Sequence, residues 1–418
     1  MNIGSLASIS LPHGWRWERL WAIAPRMKAT GNPEARPLSV YLNAGVVPRN
    51  SRDDNHNRLG EDLSRYLLVS PGDIVFNKLR TWQGGLGVSK YSGIVSPAYF
   101  VCRPHNEIDG RFIDYLLHSA PYLTELTRIS KWMPPSQFDT PWEELRKLPI
   151  LLPPLEEQRR IADFLDAETS RIDRLSTLQE LMLERVSERD ATLLEHELEE
   201  LRAGFGSVPL RRFMVGMDQG SSPQCDAYPA ADHEWGVLKV SAIRPGAFYP
   251  QENKRLPEEV APNPAHEVHE GDLLITRANT PDLVGSTAVV PAVRPRLLLS
   301  DKIFRVRLDK RIDPHYVAIV ARSKRVRMMS AASSNGASQS MANIRFEEVK
   351  GWPIPLIPLE QQRALVERIN RSYRVVEQLR RKIGRQRQLL EERRRALITA
   401  AVTGQFDVST ASGRGIED

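Results

Sequence analysis

The chain has 418 residues, of which 41% are hydrophobic. That length predicts two to four domains, and that apolar content excludes wholesale disorder. Its 58 basic residues against 52 acidic ones leave a net charge of +6, with a pI near 9.3, which suits a polyanionic partner without requiring one. Two cysteines, Cys102 and Cys225, are too few for a disulfide framework or a four-thiolate zinc site. A reducing, cytoplasmic compartment is therefore expected. No stretch approaches the roughly 18 apolar residues of a membrane span, and the opening MNIGSLASISLPHGW lacks the pattern of a signal peptide.

In chain order, β-rich runs bounded by Gly, Pro and Asp come first: DIVFNKL (73–79) and GIVSPAYFVCR (93–103). RFIDYLLHSAPYLTELTRI (111–129) has helical spacing. A long helix then follows Pro153-Pro154, with Glu156 and Glu157 in its first turn, where acids suit the helix dipole. Its apolar positions, Ile161, Leu165, Ile172, Leu175, Met182, Val186 and Leu193, recur at spacings of about 3 and 4, the signature of a coiled-coil seam. RAGFGSV (202–208) reads as a linker. Further strands are expected at GDLLITRA (271–278), STAVVPAV (286–293) and KIFRVRL (302–308), and a helix at HYVAIVARSKRVRMMSA (315–331). A second long helix follows Pro358, with a seam at Leu365, Ile369, Val376, Leu379, Ile383, Leu390 and Leu397. The Gly/Ser-rich tail from Ser409 reads as flexible.

These elements form two copies of one plan. PILLPPLEEQRRIADFL (149–165) and PIPLIPLEQQRALVERI (353–369) align at an offset of 204, pairing Pro149 with Pro353, Glu156 with Glu360, Gln158 with Gln362 and Arg159 with Arg363. The same offset pairs Ser96 with Ser300, Phe100 with Phe304, Asp109 with Asp313 and Trp142 with Phe346. Upstream it becomes 199, setting Gly72-Asp73 over Gly271-Asp272, two turns that lead into strands. Each helix is about 40 residues, or about 60 Å long, and is apolar on one side, so each needs a partner. Equal length and matched register make the other copy, packed antiparallel, the expected one. The fold class is thus mixed α/β (α+β): two globular portions separated by two long antiparallel coiled-coil helices, a pseudo-two-fold repeat. The boundaries read 1–153, 154–203, 204–357, 358–408 and a tail at 409–418.

No catalytic constellation accompanies this plan. GGLGVSK (84–90) has the wrong spacing for a phosphate loop. His266 and His269 lack a second ligand pair, and Pro281-Asp282 lacks the Glu-x-Lys of a nuclease. No Gly-x-Ser-x-Gly elbow and no Asn/Asp-Pro-Pro-aromatic tetrad occurs.

PILLPPLEEQRRIADFLDAE, its second copy, MPPSQFDTPWEELRKLPILLPPLEEQ and LLEERRRALITAAVTGQFDV (389–408) resemble the segments that end each target-recognition domain in the specificity subunits of type I restriction–modification systems. The second copy departs from the usual Pro-Leu-x-Glu-Gln with Pro-Leu-Glu-Gln-Gln. The resemblance covers nearly the whole chain and is specific in the helical tails. It implies two target-recognition domains, each reading one half of a bipartite DNA sequence. It also implies a subunit that catalyses nothing and holds two modification (adenine methyltransferase) subunits and, in the larger complex, two restriction–translocation subunits. No cofactor is expected on this chain; S-adenosylmethionine belongs to the methyltransferase partner. No membrane partner is expected. Two unlike globular portions predict an asymmetric target, and the helices would set its gap. A paired-module scaffold for protein partners is the alternative; weak dependence of binding on salt would distinguish it.

Base readout needs paired donors and acceptors, and phosphate contacts need Arg, Lys and hydroxyls. The polar loops of the first portion offer Arg49, Asn50 and Arg52; Asn77, Lys78, Arg80, Trp82 and Gln83; and Lys131, Trp132 and Gln137. Those of the second offer Gln219, Ser221 and Ser222; Lys239 and Arg244; Arg277, Asn279 and Thr280; and Ser334, Asn335, Ser338 and Gln339. Trp82 and Trp132 suit packing more than base stacking. Lys78 and Arg277 are the leading candidates, because they stand at near-matching places in the two copies. The basic run RRKIGRQRQLLEERRR (380–395) and the small apolar residues of Ala396–Phe406 suit docking of the modification subunit.

Overall fold

The computed structural model describes residues 6–7, 9–42, 44–51, 62–133, 137–332 and 342–408. The chain divides into two compact units, Met1–Gln179 with Gly384–Asp418, and Glu180–Ile383. Each globular portion thus packs with one half of each long helix.

In the first unit the central sheet is antiparallel. It contains β1 (Arg26–Met27), β2 (Ile74–Asn77), β3 (Leu86–Val88) and β4 (Tyr99–Cys102), in the order β1-β4-β2-β3. Strand β2 reads as an unbroken apolar run because both its faces are buried. Ile74 and Phe76 face helices α1 (Gly110–His118) and α2 (Ala120–Ile129), while Val75 packs with Leu38, Val40, Leu67 and Val95 on the other side. The single helix expected over 111–129 is therefore two. Ser119 adopts an extended backbone and Pro121 sits in the first turn of α2, so the chain turns there instead of continuing.

The second unit repeats the sheet with β5 (Met214–Gln219), β6 (Leu273–Thr276), β7 (Thr287–Val289) and β8 (Ile303–Leu308), in the order β5-β8-β6-β7. Across the first sheet Val88, Ile74 and Cys102 lie side by side; across the second, Val289, Leu273 and Val306 do. The expected helix over 315–331 is again two, α3 (Pro314–Ala321) and α4 (Lys324–Ala332). Asp109 and Asp313 cap α1 and α3, each accepting backbone N–H bonds with its side chain. The matched aromatic pairs also recur: Phe100 against Trp142 at 5.4 Å and Phe304 against Phe346 at 5.8 Å between ring centroids.

The long helices run Leu155–Phe205 and Leu359–Val402, 51 and 44 residues, roughly 75 and 65 Å. Both start directly after proline. The segment expected as a linker from Arg202 is helix through Phe205; Gly206, at φ +71°, ends it by returning its N–H to the Arg202 carbonyl at 2.9 Å. Within each unit the two helix halves lie antiparallel. Glu168 meets Arg393 and Asp173 meets Arg394 in the first; Ser187 meets Arg380 and Glu197 meets Arg368 in the second.

The seam positions divide. Ile161, Leu165, Ile172, Leu365, Ile369, Val376 and Ile383 are buried, and Val186, Leu379 and Leu390 are half-buried. Leu175 and Met182 are instead 43% and 50% exposed, beside exposed Leu178 and Leu181. Toward its end the first helix buries Leu194 and Leu198 rather than Leu193. A helix of 3.6 residues per turn drifts about 20° per heptad against a 3.5 repeat, so one fixed register does not hold over 51 residues. Ala396–Phe406 is a second correction, because Ala401 and Val402 are fully buried in the first unit's own core and Phe406 packs on Phe164.

The glutamine repeated in each tail has a structural task. Gln158 is 2% exposed; its Oε1 accepts from the Asp109 N–H at 2.9 Å, and its Nε2 donates to the Pro153 and Glu107 carbonyls at 3.0 and 3.1 Å. Gln362 repeats this with Asp313, Ile357 and Arg311 at 2.8, 3.0 and 3.3 Å. Each glutamine thereby ties its long helix to the cap of a globular helix. Gln158→Leu or Gln362→Leu strands one buried and two part-buried backbone groups and should cost about 2–4 kcal/mol in urea unfolding. A loss below about 1 kcal/mol would mean that water replaces the side chain.

Candidate nucleic-acid interface

The same corner closes the second strand of both central sheets. In the first unit Lys78 follows β2; its N–H donates to the Ala98 carbonyl at 3.3 Å and its carbonyl accepts from the Thr140 N–H at 3.1 Å. In the second unit Arg277 follows β6; its N–H donates to the Lys302 carbonyl at 2.8 Å and its carbonyl accepts from the Ile344 N–H at 2.9 Å. The partners match one for one at the 204 offset. Lys78 and Arg277 thus hold equivalent places on a backbone frame that the rest of each domain rigidifies.

Around Lys78 the chain is tightly built. Asn77 caps the turn, its Oδ1 accepting from the Leu79 N–H at 3.1 Å, and the Thr81 hydroxyl donates to the Asn77 carbonyl at 2.7 Å. Gly85 presses on Arg80, where an added Cβ would lie 2.5 Å from the Arg80 Cβ. Arg80 and Gln83 are exposed and joined by a 3.2 Å hydrogen bond. The hairpin of Lys131–Met133 and Gln137–Asp139 closes over this turn. Phe138 packs on Trp82 at 4.6 Å and on Trp132 at 5.1 Å, and Asp139 pairs with the Lys78 ammonium at 3.1 Å. Trp82 therefore packs, whereas Trp132 is 54% exposed beside exposed Lys131. Arg49 is half-buried near Tyr99, the cross-strand partner of Asn77; burial raises the Tyr99 phenol's pKa and the Arg49 charge opposes that rise.

Around Arg277 a different loop occupies the frame. Ala278–Asn279 pairs with Ala342–Asn343, and the Asn279 side chain accepts from the Thr280 N–H at 2.9 Å. The Arg277 guanidinium donates to the Asp301 carbonyl at 3.3 Å, and the Asp301 carboxylate accepts from the Ser222 hydroxyl. Gln219 at the end of β5 and Ser221 beyond it are exposed on this side, with Gly220 packed against Leu299 between them. Lys239 and Arg244 are engaged elsewhere, Lys239 with Glu252 at 3.5 Å and Arg244 over the Tyr249 ring at 5.2 Å. Arg52, Ser334, Asn335, Ser338 and Gln339 lie outside the described residues, and of Gln137 only the backbone is described.

Asp139, whose carboxylate pairs with Lys78, and Asp301, whose backbone carbonyl accepts from Arg277, escaped the sequence reading. Their spacings to Lys78 and Arg277 differ, so the repeat gives no signal for them. The basic run 380–395 is partly spent inside the chain. Arg393, Arg394 and Arg380 reach the first long helix, while Arg381 and Arg395 pair with Glu377 and Glu391 one turn away. Among the described residues no group of three His, Cys, Asp or Glu could hold a metal ion, and no helix is long and apolar enough to cross a membrane.

No family model matches the chain. It is 34% identical over 182 residues to the EcoEI type I restriction enzyme specificity subunit of Escherichia coli, a stretch covering 43% of this chain and 31% of that protein. The match thus spans about a third of that relative's length. It is 23% identical over 330 residues to the EcoKI specificity subunit of Escherichia coli K12, covering 73% of this chain and 68% of that one. Among solved structures, a chain from a study of complex assembly and conformational transition of the type I R-M system superposes with a TM-score of 0.73 at 19% identity, over 95% of this chain and 100% of that one. The HsdS subunit of Thermoanaerobacter tengcongensis gives 0.55 at 19% identity, over 96% and 100%. The likeness to type I specificity subunits noted in the helical tails therefore extends to the fold of nearly the whole chain.

Proposed function

We propose that this chain is the DNA-reading, non-catalytic specificity subunit of a type I restriction–modification system. The observation that carries the proposal is the duplicated corner: one backbone frame presents Lys78 in the first copy and Arg277 in the second, inside loops that otherwise differ. A duplicated frame with unlike loops suits two half-sites of unlike sequence, hence a bipartite, asymmetric target. The portions 1–153 and 204–357 each read one half-site, and the helices 154–203 and 358–408 set the gap between them. Arg277 and Asn279 offer the donors that guanine and adenine edges accept, while Lys78, Arg80 and Lys131 supply charge for phosphates.

The subunit supplies sequence choice to two modification subunits, which methylate adenine with their own S-adenosylmethionine, and in the larger complex to two restriction subunits. The exposed apolar residues Leu175, Leu178, Leu181 and Met182 of the first long helix support docking of the modification subunits there.

Long-read methylation mapping of the host genome, with the gene present and deleted, tests this. Adenine methylation at one bipartite motif should vanish on deletion. Arg277→Ala and Lys78→Ala should each weaken methylation tenfold or more through one half-site and leave the other half-site's sequence unchanged. An identical map with and without the gene would overturn the reading.

A further inference from the structure

The repeat allows the same place to be compared in the two copies, and at one place their chemistry diverges. In the first unit Arg111 at the start of α1 is neutralised by Asp163 and Asp166 of the first long helix, at 2.7 and 2.9 Å. Tyr115 donates to Asp166 at 2.8 Å, and Asp114 accepts from the Val88 N–H at 3.1 Å. His118 lies 3.6 Å from the Asp114 carboxylate, so Arg111 and His118 each have an acid of their own chain.

At the 204 offset Arg111 becomes His315, Asp114 becomes Ala318, His118 becomes Arg322, Asp166 becomes Asn370 and Ser170 becomes Arg374; Glu367 alone keeps the acid of Asp163. Two carboxylates are lost and a cation is gained. In place of the filled first-copy contact the second unit has a cavity of about 220 Å³, lined by Gly246, His315, Arg322, Asn370, Tyr373 and Arg374 among others. Arg322 lies over the Tyr373 ring at 4.9 Å, with Asp190 3.6 Å from its guanidinium. Its side chain is 13% exposed, and burial lowers its pKa, which Asp190 and Tyr373 oppose. No described acid pairs with Arg374 or His315. Gly246, at φ +78°, brings backbone to the Arg322 side chain, where an added Cβ would lie 3.4 Å from Cδ.

We propose that this cavity is a binding site for a single phosphate group, held by the guanidinium groups of Arg322 and Arg374 with Asn370 and Tyr373 as neutral donors. Two forked cations, one largely buried and one exposed, and two neutral donors around a half-open cavity suit a tetrahedral dianion. The first copy has no counterpart site, because Asp166 occupies the place of Asn370. The phosphate comes either from a nucleic-acid backbone or from a free phosphate-bearing molecule. The site stands independently of the proposed DNA-reading role.

The test is thermal unfolding of the full chain in inorganic phosphate against chloride at matched ionic strength. Phosphate should raise the unfolding temperature by several degrees, because it binds only the folded state. Arg374→Ala and Asn370→Asp, which restores the first copy's acid, should each weaken apparent phosphate affinity at least tenfold. Arg371→Ala, on the same helix but outside the cavity lining, should not. Unfolding of each variant in chloride checks that it is folded. No phosphate-specific stabilisation of the native chain, or an unaltered response in folded Asn370→Asp and Arg374→Ala, would overturn the proposal. A duplex of arbitrary sequence separates the two sources. Arg374→Ala lowers the salt dependence of duplex binding by about one counterion if the phosphate is the backbone's, and leaves it unchanged if the natural ligand is a free anion.

Discussion

Arg305→Ala should destabilise the second unit by about 3–5 kcal/mol, measured by urea unfolding of the full chain. Arg305 is 7% exposed in the middle of β8 and serves four partners. Its guanidinium donates to Asp218 at 2.6 Å, to Asp272 at 3.3 Å, and to the Ala265 and Glu267 carbonyls at 2.7 Å each. Burial works against its charge, yet the two carboxylates outweigh that, so the pKa of the guanidinium is raised. Truncation leaves half-buried Asp272 without its counter-charge while it still accepts the His269 N–H at 2.9 Å. Arg305→Met, which keeps the apolar stem, should therefore recover little of the loss. Recovery of most of the stability by Arg305→Met would mean that lost packing, not stranded charge, is the cause. In the first unit Arg103 serves Asp73 with a bidentate pair at 2.8 and 2.9 Å but is half-exposed, so Arg103→Ala should cost less.

A four-residue insertion after Arg171 in the first long helix should abolish methylation at the native target while the first globular portion stays folded. Residues before the insertion keep their contacts: Ile161 and Leu165 in the core, Arg111 with Asp163 and Asp166, and Glu168 with Arg393. Residues after it move about 6 Å along the axis and roughly 40° around it, which parts Asp173 from Arg394 and Gln179 from Gln386. Methylation mapping reads the outcome. Methylation of the same half-sites with an altered gap would still make the helix the spacer; an unchanged motif at unchanged efficiency would end the ruler reading.

The sequence by itself determined the duplication, because its landmarks are local and chemically demanding. Pro149, Gln158 and Asp109 recur at one offset since helix entry, a buried amide and a helix cap each tolerate few side chains. The same offset paired Phe100 with Phe304 and Trp142 with Phe346, although only the structure showed that Phe100 touches Trp142 and Phe304 touches Phe346. The equivalence of Lys78 and Arg277 was also legible, as both follow a Gly-Asp turn and an apolar strand. Only tertiary structure decided the rest. Leu175 and Met182 have seam spacing but lie exposed, because helix drift and the packing partner, not spacing, choose the buried side. Ala401 and Val402 look like docking residues and are core, because the chain end folds back onto Phe164. The break at Ser119 was missed since apolar periodicity continues across it while the backbone does not. The cavity of Arg322 and Arg374 depends on acids absent from positions that only the fold brings together. Charge compensation is a property of neighbours in space, and no single segment of sequence contains it.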